Sequence, residues 1–318
     1  MQTPVVTVIV PGYDVGLYAA EALESLRAQT LTDWVAVLVD DASTDHTGTL
    51  FDAAAAADER FRVVHHRERG GLSAARNTGL DLVRTPLLGF LDADDRYTPH
   101  ALERLVGTVT ASGSDLALGA YVRLRPDADG GYTAGSVQPW VTAATHPERT
   151  GTTLDAHPDA SGNIVAWSKV SRTELWQRTG LRFPVGKAYE DQVVAQQLYT
   201  RARAFDVIPD VVVEWRERAD GSSITQHKDE LPVLRDYLEA LAGGIAVLDA
   251  AGQTRAAASR VRLILAMDLP PLVELARDHP DPAYRRELGT FARTLWARAE
   301  RVGLAEPAAT AVAAAQLW

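Results

Sequence analysis

Thr85-Pro-Leu-Leu-Gly-Phe-Leu-Asp-Ala-Asp-Asp95 is the stretch that decides the fold. Residues 87–91 are an unbroken apolar run, the composition of a strand buried on both faces of a sheet. Three carboxylates, Asp92, Asp94 and Asp95, follow directly. Acidic residues where such a strand ends lie in the crevice in which open α/β sheets take ligands. Carboxylates this close repel one another, so a cation should hold them together. A divalent metal carrying a diphosphate suits them, because hard ions share carboxylate and phosphate oxygens. The alternative is a turn in which Asp94 and Asp95 cap a helix begun by Pro99.

Working outward, the segments before this stretch alternate between strand and helix. Residues 5–10 are a buried strand stopped by Pro11-Gly12, followed by a helical pattern with Leu17, Leu23 and Leu26 on one face. Residues 35–39 form a second strand that runs into Asp40-Asp41, and residues 43–47 start a capped, Ala-rich helix. Residues 61–64 are a short third strand; Gly70-Gly71 turns the chain, and Ser73 caps a helix reaching Val83. This rhythm predicts a mainly parallel central sheet with helices on both faces.

Beyond a helix from Pro99 to about Ser112, residues 115–125 read as one or two strands. Residues 126–163, rich in Gly, Pro, Asp and Thr, read as a long functional loop ordered by substrate. Residues 165–176 read as a strand edge entering a helix, residues 189–202 as a helix and residues 206–216 as a β-branched strand. From Leu231 the chain turns helical, with Leu234, Leu238, Leu241, Ile245 and Leu248 on one face and a later stripe of Leu288, Phe291, Leu295, Ala299 and Val302. Both stripes read as core or as an interface, which admits a homo-oligomer built through these helices. The expected organisation is an α/β domain over residues 1–226, itself split into halves 1–112 and 113–226, then a helical C-terminal region over 227–318.

The charge excludes one class of partner. The net charge is −10. Residues 1–225 carry 21 Lys+Arg against 30 Asp+Glu, a balance of −9, whereas residues 226–318 carry 11 against 12. An acidic N-terminal part opposes nucleic-acid binding, which needs a basic surface, and is compatible with a site that recruits Mg²⁺ or Mn²⁺. Cysteine is absent, so disulfides and thiolate chemistry are excluded. No apolar run approaches the ~20 residues of a membrane span, and the Met-Gln-Thr-Pro start is not that of a signal peptide, so the expected setting is cytoplasmic.

Three strand ends, Pro11-Gly-Tyr-Asp14, Asp40-Asp41 and Asp92 to Asp95, meet on one sheet edge in this arrangement. Tyr13 there could stack on a flat base, Asp41 accept a ring N–H, and Arg76 reach a diphosphate. Singly, each has a plainer alternative: a turn aromatic, a helix cap, a solvated helix residue. Together they converge.

These residues carry a resemblance. Val6-Thr-Val-Ile-Val-Pro-Gly-Tyr-Asp14, Leu38-Val-Asp-Asp-Ala-Ser-Thr-Asp45, Gly70-Gly-Leu-Ser-Ala-Ala-Arg-Asn-Thr-Gly79 and Gly89-Phe-Leu-Asp-Ala-Asp-Asp95 resemble family 2 glycosyltransferases of the GT-A fold. Ala188-Tyr-Glu-Asp-Gln192 resembles the family's Glu-Asp motif. Trp167-Ser-Lys, Arg182-Phe-Pro, Arg216 and Ser222-Ser223 are similar to the soluble branch that glycosylates bacterial wall polymers, which includes wall teichoic acid N-acetylglucosaminyltransferases. No Gln-X-X-Arg-Trp motif accompanies them, so a processive membrane synthase is not expected.

The resemblance implies a role for each residue. Pro11, Tyr13 and Asp41 frame a uracil-type base, with Asp14 beside them and Arg76 on the donor's nucleotide portion. Asp92-Ala-Asp94 matches the Asp-X-Asp motif, with Asp92 by the ribose and metal and Asp94 ligating the Mn²⁺ or Mg²⁺ that bridges the diphosphate of a UDP-sugar. Asp191 is the catalytic base, and Glu190 raises its pKa by like-charge repulsion or binds acceptor hydroxyls. The acceptor is a hydroxyl on a glycan, polyol-phosphate polymer or lipid-linked intermediate. Asp14 and Arg69 depart from the family pattern, where Asn is common at both positions, which leaves the base and sugar open.

Weaker candidates surround this set. Arg216 and Arg218 read as a diphosphate clamp or as a surface pair with Glu214 and Glu217; His227 as a third metal ligand or a hydrated surface histidine. Trp167, and less so Trp140, read as a platform for an acceptor sugar or as a core anchor. His65-His66 has no metal spacing and is assigned nothing. A nucleotidyltransferase would show a Gly-rich basic loop after the first strand, which is missing here. A non-catalytic nucleotide-sugar-binding protein is opposed by the intact Asp92/Asp94 and Glu190/Asp191 pairs.

Overall fold

The computed structural model describes residues 3–219, 221, 227–301, 303 and 318. Packing divides the chain into two compact units. One comprises Met1–Thr153, Val165–Lys187 and Arg201–Asp220, the other Leu154–Ile164, Ala188–Thr200 and Gly221–Trp318. The boundary expected near Gln226 lies outside the described residues, as do Ser222, Ser223 and Val302.

In the first unit β1 (Val6–Gly12), α1 (Ala19–Arg27), β2 (Trp34–Asp40), α2 (Thr47–Ala57), β3 (Phe61–His65), α3 (Leu72–Leu82) and β4 (Leu87–Phe90) alternate as the apolar runs predict. Every residue of β1 and β4 is buried, which is why those runs carry no polar face. The unit continues with β5 (Arg96–Tyr97), α4 (Ala101–Ser112), β6 (Leu116–Pro126), β7 (Tyr132–Ala134), α5 (Pro139–Thr145), β8 (Arg149–Thr152), β9 (Lys169–Arg172) and α6 (Thr173–Thr179). After α7 (Asp191–Arg201), which falls mainly in the second unit, β10 (Phe205–Arg216) returns to the sheet.

The sheet runs β3-β2-β1-β4-β9-β6-β10-β5, with β7 on β6 and β8 on β10. β1 is parallel to β2 and β4, β2 to β3, and β6 to β10. β9, which runs into α6 as the reading of residues 165–176 expects, lies antiparallel between β4 and β6, so the parallel half gives way to a mixed one. The order reverses between β1 and β4, and the crevice at their carboxyl ends is where an α/β sheet takes a ligand. Helix α3 lies close on β1 because residue 79 is glycine: a Cβ there would sit 2.3 Å from Ile9 Cγ2.

Two local expectations are corrected. Ser73 does not cap α3. Gly71 does, at φ 85°, a left-handed conformation favouring glycine, and the Ser73 hydroxyl is buried inside the first turn. The long functional loop over 126–163 is instead built of β7, α5, β8 and a short 3₁₀ turn, Pro158–Gly162. Elements of three to seven residues are too short to print a periodicity.

The second unit collects α7, α8 (Leu231–Ala250), α9 (Thr254–Leu263), α10 (Leu269–Arg277) and α11 (Pro282–Arg301). Leu234, Leu238, Leu241 and Ile245 of α8 and Leu288, Leu295 and Ala299 of α11 share its apolar cluster, so the two predicted stripes are core. Among the described residues no helix is long and apolar enough to cross a membrane.

Candidate active site

The parallel strands deliver their ends as the sequence requires. Beyond β4 the ladder continues, Leu91 N–H donating to Ile9 O (3.0 Å) and Ala93 N–H to Pro11 O (3.3 Å), which sets the Asp92-Ala93-Asp94 segment against Pro11. The two flanking carboxylates remain partly exposed, 21% for Asp92 and 16% for Asp94.

Each has a cationic partner. Arg76 of α3, 1% exposed, donates from Nη2 to Asp92 Oδ1 (2.8 Å) and Oδ2 (3.1 Å). Its guanidinium carbon lies 5.1 Å from the Phe183 ring centre. The expected reach toward a diphosphate is, in this structure, a grip on Asp92. Arg218 donates from Nε to Asp94 Oδ2 (2.8 Å). Arg216 is buried, its N–H donating to Asp95 Oδ1 (2.7 Å), its Nε to the Asp94 carbonyl (2.7 Å) and its Nη2 to Glu21 Oε2 (2.8 Å), with its guanidinium 4.2 Å from the Tyr132 ring centre. The surface pairing with Glu214 and Glu217 is therefore corrected: those two face Arg96 and Arg125, while Arg216 and Arg218 both close on residues 94–95.

Asp95 is the third carboxylate and is 1% exposed. Burial first, then the charges of Asp94 and Asp92, push its carboxyl well above the ordinary range. For Glu21, burial alone would raise the pKa, but the bond and charge of Arg216 outweigh it and hold the carboxyl below its usual value. Among the described residues no three His, Asp or Glu side chains are grouped to cage a metal. Two partly exposed carboxylates at a crevice, beside a buried third, have the oxygen-donor chemistry to hold an Mg²⁺ or Mn²⁺, which would complete its shell with other oxygen ligands.

The β1 and β2 ends are built differently. The Asp41 carboxylate is 2% exposed and accepts from Gly70 N–H (2.8 Å) and Gly71 N–H (2.7 Å), and its Oδ1 lies 2.6 Å from His66 Nδ1. His66 in turn reaches Thr78 of α3 through Nε2 (2.9 Å), a link that the spacing of His65-His66 did not signal. Asp41 thus holds the turn that begins α3. Asp14, at φ 46°, accepts from Thr44 N–H (2.7 Å) and Asp45 N–H (3.3 Å) and so orders the loop after β2. Tyr13 is half-buried, with the Arg69 guanidinium 3.9 Å from its ring centre, which shows a ring face able to take a flat partner.

Glu190 and Asp191 belong to the second unit. Glu190 is 6% exposed, while Asp191, the first residue of α7, is half-buried. Tyr189, just before them, has φ 59°. Asp14, Ala42 and Tyr189 are the non-glycine residues with positive φ among the described ones. Such strain costs on the order of 1–3 kcal/mol per residue and gathers at functional sites, and each of the three falls in a stretch that the sequence singled out.

Trp167 is 3% exposed, edge-on to Tyr121 at 4.8 Å and stacked on Trp215 at 6.5 Å, so the core-anchor alternative describes it. His227 is exposed in the second unit, 3.5 Å from Glu230, and the surface alternative describes it.

Residues 7–176 match the family described as glycosyl transferase family 2. The glycosyltransferase GlyG of Streptococcus pneumoniae serotype 4 is 28% identical over 240 residues, 74% of this chain and 77% of that protein. Residues 1–349 of S. aureus TarS, solved in complex with UDP-GlcNAc, align with a TM-score of 0.73 at 19% identity, covering 98% of this chain and 92% of that one. The mannosyltransferase PcManGT of Pyrobaculum calidifontis, solved with GDP-Man and Mn²⁺, aligns with a TM-score of 0.54 at 18% identity, covering 100% and 87%.

Proposed function

The chain belongs to glycosyl transferase family 2, and on that premise we propose an inverting, divalent-metal-dependent enzyme that moves a hexosyl or N-acetylhexosaminyl group from a nucleoside-diphosphate sugar, a UDP-sugar above all, to an acceptor hydroxyl. The acceptor class is a glycan, a polyol-phosphate polymer or a lipid-linked intermediate, met in the cytoplasm or at the inner membrane face. The observation that carries the reading is the end of β4, where Asp92 and Asp94 stay partly accessible and each is paired with a guanidinium group. A carboxylate held by a cation can exchange that partner for another cation.

The proposed roles are these. Asp94 and Asp92 hold the metal; Arg76 orients Asp92 and Arg216 the main chain of Asp94. Arg218, paired with Asp94 and 15% exposed, would be able to contact the diphosphate if Asp94 ligated the metal. Tyr13 supplies the stacking face for the base, with Pro11 at its flank, while Asp41 and Asp14 hold the loops around it. A bound Mn²⁺ or Mg²⁺ neutralises charge on the departing diphosphate. Asp191 takes the proton of the acceptor hydroxyl as its oxygen forms the new bond to the anomeric carbon and the bond to the diphosphate breaks, its electron pair leaving with the diphosphate. General-base catalysis of this kind contributes about 10²–10⁴-fold. Attack opposite the leaving group turns an α-linked donor into a β-linked product. The UDP-GlcNAc and GDP-Man complexes of the two solved neighbours support a nucleotide-sugar donor, and UDP comes first because of the larger TM-score.

Release of UDP from UDP-GlcNAc, UDP-glucose and UDP-galactose, with bacterial wall polymers as acceptors, tests the reading. Turnover with Mn²⁺, its loss in EDTA and its loss in Asp191→Asn are expected. Nucleotide binding without turnover of any nucleotide sugar would leave a binding protein instead.

A further inference from the structure

Helices α8 to α11 supply no group to the chemistry described above, yet several of their side chains contact the residues around Glu190 and Asp191 within the second unit. Asp236 of α8 accepts from Ala188 N–H through Oδ2 (3.1 Å). The Tyr189 ring lies 4.2 Å from that of Tyr237, also on α8, and packs against the unit's apolar core. Arg260 of α9, 3% exposed, donates from Nη2 to Gln192 Oε1 (2.9 Å) and lies 3.3 Å from Asp268 Oδ2, while Asp268 Oδ1 accepts from the Tyr237 hydroxyl (2.7 Å). Farther along α7, Gln196 donates to Ser161 O (2.8 Å) and the Tyr199 hydroxyl to Asn163 O (2.8 Å). α8 crosses α7 closely at a glycine pair: a Cβ on Gly244 would lie 3.2 Å from the Gln192 carbonyl oxygen, and one on Gly243 3.0 Å from Val193 Cγ2.

The residues on both sides of Glu190 and Asp191 are therefore fixed by groups from the C-terminal helices. A left-handed Tyr189 followed at once by a helix is a sharp change of direction, and such a backbone persists only where its surroundings over-determine it. A buried arginine is costly to ordering and desolvation alike and is retained where its charge has a fixed task. Arg260 spends that charge on one neutral amide and one carboxylate, tying the second residue of α7 to α8 through Asp268 and Tyr237.

We propose that the C-terminal helical unit is the frame that positions the general base, with Arg260 and Gln192 as the positioning residues that set the first turn of α7 and hence the Asp191 carboxylate. The proposal rests on the base assignment made above. A base misplaced by about 1 Å loses on the order of 10²-fold in rate while the substrate still binds, so the frame shows itself as a split between turnover and donor affinity.

The test combines variants of the frame with Asp191→Asn, reading UDP release from the UDP-sugar turned over in the preceding assay. Arg260→Lys and Gln192→Leu are each expected to lower kcat by about 10- to 100-fold, with the Kd for UDP and Mn²⁺ held within about twofold. Gln192→Glu, which keeps an acceptor for Arg260, recovers most of the loss. In the Asp191→Asn background neither frame variant lowers the residual rate further, because residues acting through one group do not add. Amide hydrogen exchange over residues 188–193 is expected to quicken in Arg260→Lys, a readout that needs no donor, while exchange over residues 70–76 stays as it was. Unchanged kcat and exchange in both frame variants would overturn the proposal. So would a loss that persists in full in the Asp191→Asn background, or one matched by weaker UDP binding. If Asp191→Asn turns over as fast as the unaltered chain, the base assignment has failed and the frame falls with it.

Discussion

Two strand ends of one sheet look alike in sequence and are built for opposite purposes. β2 ends in Asp40-Asp41 and β4 in Asp92-Ala-Asp-Asp95. At the β2 end the carboxylates are buried and bonded to backbone donors, the N–H groups of Ser43, Gly70 and Gly71, with the rings of His65 and His66 alongside. Asp40 shows the result; burial alone would raise its pKa, but the bonds from Ser43 and His65 outweigh it and hold the carboxyl below its usual value. At the β4 end two carboxylates stay partly open on guanidinium groups, and a third is buried, its pKa pushed well above the ordinary range. Backbone donors make a carboxylate part of the architecture; side-chain cations leave it able to change partners.

Variants that move one end toward the other test this difference, the largest effect coming from the open end. Asp94→Ala is expected to lower kcat/KM by about 10³-fold or more, since the charge stabilisation carried by a bound metal amounts to several kcal/mol, while the thermal midpoint holds. Arg218→Ala keeps Asp94 but removes its exchangeable partner. About a 10²-fold loss in kcat is expected, the usual cost of deleting one group that stabilises developing charge, with metal affinity retained or tightened.

The closed end answers in stability. Asp41→Ala leaves Gly70 N–H and Gly71 N–H without their acceptor, and urea denaturation should show a loss on the order of 3 kcal/mol; a variant as stable as the parent would refute the architectural role. The smallest effect belongs to His65, raised above 6.5 by its bonds to Asp40 and then Asp52. Because its folded-state pKa lies above the unfolded one, its contribution is fully present below about pH 6.5 and is lost as pH rises through the raised value. His65→Gln should therefore lower the Tm by a degree or so (~1 °C) at pH 5.5 and leave it unchanged at pH 9.

What could be read beforehand follows the same division. The strands β1, β2 and β4 were legible because burial on both faces leaves continuous apolar runs, and Asp92 and Asp94 because acidic residues end one of them. The partners of those carboxylates were not. Arg216 and Arg218 lie more than a hundred residues further along, and nothing in their local pattern says that they close on Asp94 rather than on Glu214 and Glu217. The bond from His66 to Asp41 is likewise a matter of register between β2 and β3. Ser73 misled because a hydroxyl two residues after a glycine is an ordinary cap signal, whereas here the positive φ of Gly71 starts the helix. Trp167 misled because an aromatic beside a polar motif reads equally well as platform or core.

The most direct test of the central claim is a calorimetric titration of the unaltered chain and of Asp94→Ala with UDP, in the presence and absence of Mn²⁺. The account predicts UDP binding that requires Mn²⁺ and disappears in Asp94→Ala while the protein stays folded. Binding of equal strength without metal, or unchanged in Asp94→Ala, would contradict it and return the β4 carboxylates to the same architectural role as those of β2.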